Sequence, residues 1–195
     1  MSDAAPVADG ANRATGAPGA DPQPSEHDQA VRWSSGGRTR FIVLRGPRAA
    51  AFDRFLVRTL GYSLITKQYA LAMGQRYQPT LLLQTIGRRT GVRRTRALPF
   101  HVVGDDLVVV GSRGGGPLDP DWAWNVRANG AAWVCVRRRW RPVEAHVAEG
   151  DERATLFAEL TGRRASIGRY QERASTYGRQ IPLVVLHPKD GRPLA

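Results

Sequence analysis

The sequence predicts an α+β fold, a small barrel of about six mainly antiparallel strands with peripheral helices. Six short stretches are rich in strand-forming residues, and several are joined by turns too short for a crossover helix. Three or four other stretches show the three- to four-residue apolar spacing of amphipathic helices. The predicted strands are 80–85, 94–103, 106–112, 131–137, 140–148 and 181–187, and the predicted helices are 49–65, 119–129, 151–160 and 165–176.

Composition excludes several classes of protein. The 195 residues suit one ordinary domain plus a tail, and the single cysteine, Cys135, cannot form an internal disulfide. The four histidines are scattered without metal-ligand spacing. No apolar run approaches the ~20 residues of a membrane span, and no signal peptide is visible. We therefore expect a cytoplasmic protein, with attachment to the inner membrane face as an alternative.

The chain divides at about residue 48. Residues 1–30 contain five acidic residues, one basic residue and few bulky apolar ones, so they cannot bury enough surface to offset the entropy of ordering. We interpret 1–47 as a disordered tail followed by a transition segment, and 48–195 as the folded domain.

The first predicted helix, 49–65, has two interpretations. Its apolar residues Phe52, Phe55 and Leu60 recur at helical spacing, with arginines largely on the other side. The helix packs on its own domain in one interpretation. In the other it lies on an anionic membrane surface.

The remaining elements are bounded by turn residues. Gly104–Asp105 predicts a hairpin between the second and third strands. In helix 119–129, Asp119 is expected as the N-cap and Pro120 at the first helical position, and Asn129–Gly130 ends it. A basic turn at 137–139 joins the next two strands. Acidic residues in the first turn of helix 151–160 suit its macrodipole.

Two loops are candidates for binding an anion, in a chain with a net charge of +12. Segment 87–96 (GRRTGVRRTR) holds five arginines and two glycines, and segment 112–116 (SRGGG) is again small and basic. Glycines expose backbone N–H groups and arginines match phosphate or carboxylate oxygens. At one barrel rim both loops could close on a single polyanion. A solvated basic hairpin and a nucleic-acid contact are the alternatives.

Helix 119–129 supplies a third candidate. Trp122 and Asn125 are three positions apart, so they share one face near its N-terminal end. An aromatic plane beside an amide suits a flat heterocycle. Alternatively, Trp122 plugs the mouth of the barrel.

These segments together resemble a known family. The blocks LLLQTIGRRTGVRRTRALPF, DDLVVVGSRGGGPLDPDWAWNVRANG and RYQERASTYGRQIPLVVL are similar to those of the deazaflavin-dependent nitroreductases. These actinobacterial split β-barrel enzymes use reduced coenzyme F420, and they include quinone reductases. The resemblance runs from about Thr80 to Pro188, with the blocks in the family's order.

The resemblance implies roles for individual residues. The cofactor would contact one set, and Tyr170 would donate a proton to the acceptor or orient it. That cofactor-binding set is Arg88, Arg89, Thr90, Gly91, Arg94, Ser112, Arg113, Gly114, Gly115, Trp122 and Asn125. The cofactor carries a phosphate and several carboxylates, which accounts for the basic loops without nucleic acid as a partner.

The implied reaction is hydride transfer from reduced coenzyme F420 to an electrophilic acceptor, plausibly a quinone. Departures from the family concern the substrate pocket: Ala97–Phe100 replaces a segment that commonly contains tyrosine, and Arg173 stands at an aromatic position. Two alternatives stay open. One is a related split-barrel protein that binds FMN or another cofactor, and the other is a non-catalytic anion-binding protein.

Overall fold

The structure, a computed structural model, describes residues 42–195; the tail predicted before them lies outside this range. Six antiparallel strands form a closed barrel in the order β1-β2-β3-β6-β5-β4, which confirms the predicted architecture. The strands are β1 Thr80–Ile86, β2 Arg93–Val103, β3 Asp106–Val110, β4 Ala131–Val136, β5 Arg139–Val147 and β6 Leu183–Pro188. The helices are α1 Gly46–Leu60, α2 Leu64–Ala72, α3 Asp121–Ala128, α4 Gly150–Arg163 and α5 Ser166–Ser175.

The barrel interior is filled by alternate residues of the strands, because successive side chains of a strand point to opposite faces. Leu81 and Leu83 of β1 are fully buried there. Helix α3 adds its apolar face to the same core. The interior residues contributed by the other elements include Phe100, Leu107, Val109, Trp122, Ala123, Val126, Val134, Val143, Val184 and Leu186.

A second apolar cluster packs α4 and α5 against the outside of β3 and β6. Leu156 and Leu160 of α4 and Ile167 of α5 meet Val108 and Val185. This layer fixes α5 beside the loop that follows β3.

The prediction of one helix over 49–65 is wrong, because two helices meet within this range. Helix α1 ends at Leu60, where Gly61 adopts a left-handed φ of 70° and its N–H bonds to the carbonyl of Val57. Ser63 then caps α2, its hydroxyl accepting a hydrogen bond from Thr66 N at 2.9 Å. The capping residues stop one helix and start the next despite the continuous apolar spacing.

Helix α1 packs on its own domain, but through a different face from the predicted one. Asp53 and Val57 are buried, and Val57 contacts the outer wall of β1 and β4. Phe52, Phe55 and Leu60 are instead 51%, 60% and 71% exposed. Within residues 42–195, no helix combines the length and apolar character needed to cross a bilayer.

The end of the predicted transition segment packs on α2. The backbone N–H groups of Val43 and Leu44 donate to Gln68 Oε1 at 3.0 and 2.8 Å. The same amide returns a hydrogen bond from Nε2 to the Leu44 carbonyl at 2.8 Å. The described fold therefore includes residues just before the predicted boundary at 48.

Replacing Asp53 should destabilise the junction of α1 and α2. Its carboxylate is 1% exposed and accepts from Ser63 Oγ at 2.8 Å and Ile65 N at 3.0 Å. Asp53→Ala leaves both donors without this partner, so we expect a loss of about 1–3 kcal/mol in the free energy of unfolding, measured with urea. The exposed Glu172→Ala is the control. An equal effect in both variants would contradict this role.

Candidate functional site

Two loops leave the barrel at the same rim. In the β1–β2 pairing Ile86 lies opposite Arg93, so loop 87–92 joins these strands at one end of the barrel. Strand β3 runs antiparallel to β2 and ends at Val110. Because neighbouring strands alternate in direction, the loop after β3 starts at that rim too.

The loop after β3 has an unusual backbone. Arg113, Gly114 and Gly115 adopt positive φ values of 45°, 65° and 73°. A non-glycine residue in this region is strained and persists only where its surroundings determine it. Gly115 also packs tightly on α5, because a Cβ there would lie 2.8 Å from the Tyr170 carbonyl oxygen and 2.9 Å from Arg173 Cβ. Only glycine fits without a shift in the backbone.

Arg179 holds this loop by hydrogen bonds to its backbone carbonyls. Its Nη1 donates to the carbonyl oxygens of Ser112 at 3.1 Å and Gly116 at 2.8 Å, and its Nη2 donates to that of Gly111. Its Nε donates to Asp119 Oδ1 at 2.6 Å. One guanidinium therefore connects three carbonyls of the loop to a buried carboxylate.

Asp119 is the partner of this guanidinium and not the N-cap that the sequence predicted. Its second oxygen binds Arg127 Nη1 at 2.7 Å. With both oxygens bound to arginines, the carboxylate does not cap the helix, which begins at Asp121 with Pro120 in the cap position. The side chains of Asp119 and Arg179 are 9% and 7% exposed, against 32% for Arg127.

Helix α3 also holds loop 87–92, the arginine-rich loop. Asn125 Oδ1 accepts from the backbone N–H of Arg88 at 3.1 Å, and its Nδ2 donates to Thr85 Oγ1 at 3.0 Å. Arg88 Nη1 lies 3.3 Å from Asp121 Oδ1. The arginine-rich loop is thus bonded to helix α3, and the loop after β3 is linked through Arg179 to Asp119, just before that helix.

The arginine-rich loop and the start of β2 carry two arginines without a partner among the described residues. Arg89 and Arg94 are exposed, and within residues 42–195 their side chains make no hydrogen bond or ion pair. Gly91 has a φ of 66°, and Thr90 Oγ1 accepts from Val92 N at 3.4 Å. The loop is therefore a tight turn, with the guanidinium groups of Arg89 in the loop and of Arg94 at the start of β2 available to an anion.

The loop after β3, residues 111–116, is the glycine-rich loop. A cavity of about 270 Å³ lies beside it, on the outer face of β2. Helices α2 and α5 form two of its walls. Its lining residues are Ile65, Thr66, Tyr69, Ala70, Met73, Gln75, Arg76, Gln78, Ala97, Pro99, His101, Val110, Ser112, Arg113, Gly114, Arg164, Ser166, Ile167 and Tyr170.

Polar contacts close one side of the cavity. The Tyr170 hydroxyl donates to Met73 Sδ at 3.0 Å, which joins α5 to the end of α2. Arg164 Nη1 donates to Gln75 Oε1 at 3.0 Å, and its Nη2 donates to the Arg76 carbonyl at 3.3 Å. The segment after α2 is therefore linked to both sides of the α4–α5 turn.

The cavity brings together four of the predicted site residues, Ser112, Arg113, Gly114 and Tyr170. The remaining predicted residues do not line it. Trp122 lies inside the barrel, in agreement with the alternative that it plugs the mouth, and Asn125 supports the loop backbone. Those outside the cavity wall are Arg88, Arg89, Thr90, Gly91, Arg94, Gly115, Trp122 and Asn125.

Sequence reasoning missed Arg179, His101 and the whole wall formed by α2. Arg179 stands in the recognised block RQIPLVVL, but nothing in its spacing indicates a contact with a loop some 65 residues earlier. The predicted helix 49–65 included only the first two residues of α2, so the rest of α2 was not predicted. The alternation of β2 could have placed His101 and Pro99 on the same outer face.

A family model described as F420H(2)-dependent quinone reductase matches residues 64–188. The chain belongs to this family. An F420H(2)-dependent quinone reductase of Mycobacterium tuberculosis strain H37Rv is 31% identical over 148 residues, which cover 69% of this chain and 96% of the relative. The match to the family model begins with α2 and ends with β6, so all elements that line the cavity are within it.

Two solved structures are similar to this chain, and the first of them shares its fold. A structure described as a domain-swapped dimer aligns with a TM-score of 0.51 and 24% identity, covering 70% of this chain and 94% of the other. A structure named F420-H2 dependent reductase has 27% identity and a TM-score of 0.49 over 56% of this chain and 94% of its own.

Removing Arg179 should cost far more stability than removing Arg127, although both bind Asp119. Arg179→Ala leaves a buried carboxylate and three loop carbonyls without their partner, so we expect a loss of about 3 kcal/mol or more in the free energy of unfolding. Arg127→Ala removes a more exposed pair and should cost about 1 kcal/mol or less. Urea unfolding measures both, and equal losses would contradict the importance of the buried pair.

Proposed function

We propose that this chain oxidises reduced coenzyme F420 and reduces a quinone, with the cofactor on the two rim loops and the acceptor in the neighbouring cavity. The position of the cavity carries this proposal. Ser112, Arg113 and Gly114 of the glycine-rich loop form one of its walls, so a ring bound at that loop would face an acceptor in the cavity. Membership in the quinone reductase family over residues 64–188 supports the same chemistry.

The residues present fit a polyanionic deazaflavin. Arg89 and Arg94 are free to bind phosphate or carboxylate oxygens, as guanidinium groups do well. The positive φ values at 113–115 shape a backbone surface with little side-chain bulk at the glycines, which allows close approach of a ring or phosphate. The arginine-rich loop would hold the acidic tail of the cofactor, and the glycine-rich loop would hold the part of the cofactor near its ring.

The bound cofactor supplies a hydride when it is reduced. The protein's part is to hold the acceptor against it and to exclude water. Ile65 and Ala70 of α2 and Ile167 of α5 supply apolar walls for an acceptor ring. Tyr170 also lines this cavity, and its hydroxyl would orient the acceptor or give a proton to the reduced product.

Titration with oxidised coenzyme F420, followed by its fluorescence, tests the cofactor site. We expect Arg89→Ala to weaken binding about 10- to 100-fold, because a charge-assisted hydrogen bond to the acidic tail is lost. Arg139→Ala is a matched control, since this exposed arginine lies on the β4–β5 hairpin at the opposite rim.

The controls of this titration separate the alternatives. Absence of binding to the wild-type protein, or equal weakening by both variants, would contradict the proposed site. Binding of FMN in place of coenzyme F420 would indicate the related flavin-binding function. Binding without turnover of any quinone would indicate an anion-binding protein.

We also propose that α1 rests on an anionic membrane surface, which would bring the active site to lipid-dissolved quinones. The exposed side chains of Phe52, Phe55 and Leu60 form an apolar strip of a kind that soluble surfaces rarely leave uncovered. Arg48 and Arg54 stand on the same helix, and basic residues flanking an apolar strip are typical of interfacial helices.

Sedimentation with vesicles tests this contact. The full chain should bind phosphatidylglycerol vesicles and lose most of that binding in the double variant Phe52→Ser/Phe55→Ser, because the inserted apolar area is removed. Val102→Ser is the control, because it removes an apolar side chain that is 45% exposed, on the β2–β3 hairpin. Unchanged sedimentation of the double variant would rule out α1 as the contact.

A further inference from the structure

The cavity wall contains an imidazole that has no hydrogen-bond partner among the described residues. His101 lies on the outer face of β2 and lines the cavity, and its imidazole makes no hydrogen bond with any residue in 42–195. Three other polar side chains of the wall are engaged. Gln75 accepts from Arg164, Gln78 donates to the Phe100 carbonyl, and Thr66 accepts from Thr80.

The protonation state of His101 decides what it offers a ligand. Burial, followed by the charges of Arg164 and Arg163, lowers the pKa of His101 from 6.5 to about 4. The ring is therefore neutral near pH 7, with one N–H donor and one acceptor nitrogen. The other ionisable side chains in the cavity wall are Tyr69, Arg76, Arg113, Arg164 and Tyr170.

We propose that the N–H of His101 donates a hydrogen bond to a carbonyl oxygen of the quinone, which makes His101 an acceptor-binding residue. This inference rests on the proposed function and names the group that recognises the acceptor. A cavity of about 270 Å³ is at the small end for ligand sites, which suits one acceptor ring system. A donor in a cavity wall that has no partner inside the protein favours ligands that supply an oxygen there.

Tyr170 does not replace His101 in this role. Its hydroxyl already donates to Met73 Sδ at 3.0 Å, so binding an acceptor through that proton requires breaking this contact. The N–H of His101 has no such contact within the described residues. Nearby Arg164 adds positive charge, which favours an electron-rich oxygen beside the imidazole.

Nitrogen-15 NMR of the histidine rings tests the contact directly in the wild-type protein. At about pH 5.5 histidines with an ordinary pKa are largely protonated, whereas His101 should give the signals of a neutral ring. We expect menadione, a small naphthoquinone, to shift those signals without cofactor present. The rings of His146 and His187, paired with Glu152 and Asp106, should stay unchanged.

Steady-state kinetics with menadione supply the second readout. His101→Phe should raise KM for menadione about five- to thirtyfold while leaving the Kd of coenzyme F420 unchanged. His101→Gln, which keeps an N–H donor, should recover part of the loss. His187→Phe, at an exposed position on β6, is the matched control and should leave KM unchanged.

The outcomes distinguish this inference from the proposed function. Menadione that is reduced without shifting the His101 signals, or a KM that stays unchanged in His101→Phe, would overturn the inference alone. If wild-type protein does not bind coenzyme F420 but menadione still shifts the His101 signals, the proposed reaction fails while the quinone contact stands. Failure of menadione to shift any signal overturns the contact whether or not the variants fold.

Discussion

A guanidinium buried against a carboxylate and three backbone carbonyls determines the shape of the rim. The pair between Arg179 and Asp119 is almost fully covered, so its desolvation is expensive unless every remaining donor is used. Here the spare N–H groups go to the carbonyls of Gly111, Ser112 and Gly116. The ion pair is stable because the loop completes its hydrogen bonding, and the loop keeps its left-handed backbone because the ion pair holds it.

Helix α3 and the residues just before it also position the rest of the site. Helix α3 buries Trp122 in the barrel, fixes the arginine-rich loop through Asn125, and is preceded by Asp119. Two loops far apart in sequence are therefore set relative to one rigid helix, which suits the binding of one extended anion. On the other side, α5 packs against Gly115 and contributes Tyr170 to the cavity. The two rim loops and the cavity are thus built on common supports.

Local signals in the sequence were sufficient for the barrel. Turn residues such as Gly104–Asp105 and strand-forming runs predicted six antiparallel strands, and the motif blocks predicted the family. Long-range contacts were beyond such reasoning. The apolar spacing of 49–65 gave no sign that Asp53 would be buried, because its partners Ser63 and Ile65 belong to a second helix that the pattern did not separate. His101 was likewise hidden, since an unpaired donor is recognisable only when its surroundings are known.

The reaction itself can be tested in a single turnover. Protein loaded with reduced coenzyme F420 is mixed anaerobically with menadione, and the absorbance of the oxidised deazaflavin is followed. We expect stoichiometric oxidation of the bound cofactor, far faster than in the same mixture without protein. The rate should also saturate with menadione concentration, because the proposal places the acceptor in a cavity of the protein. Oxidation no faster than in the protein-free mixture would contradict the assignment of cofactor and acceptor to this site.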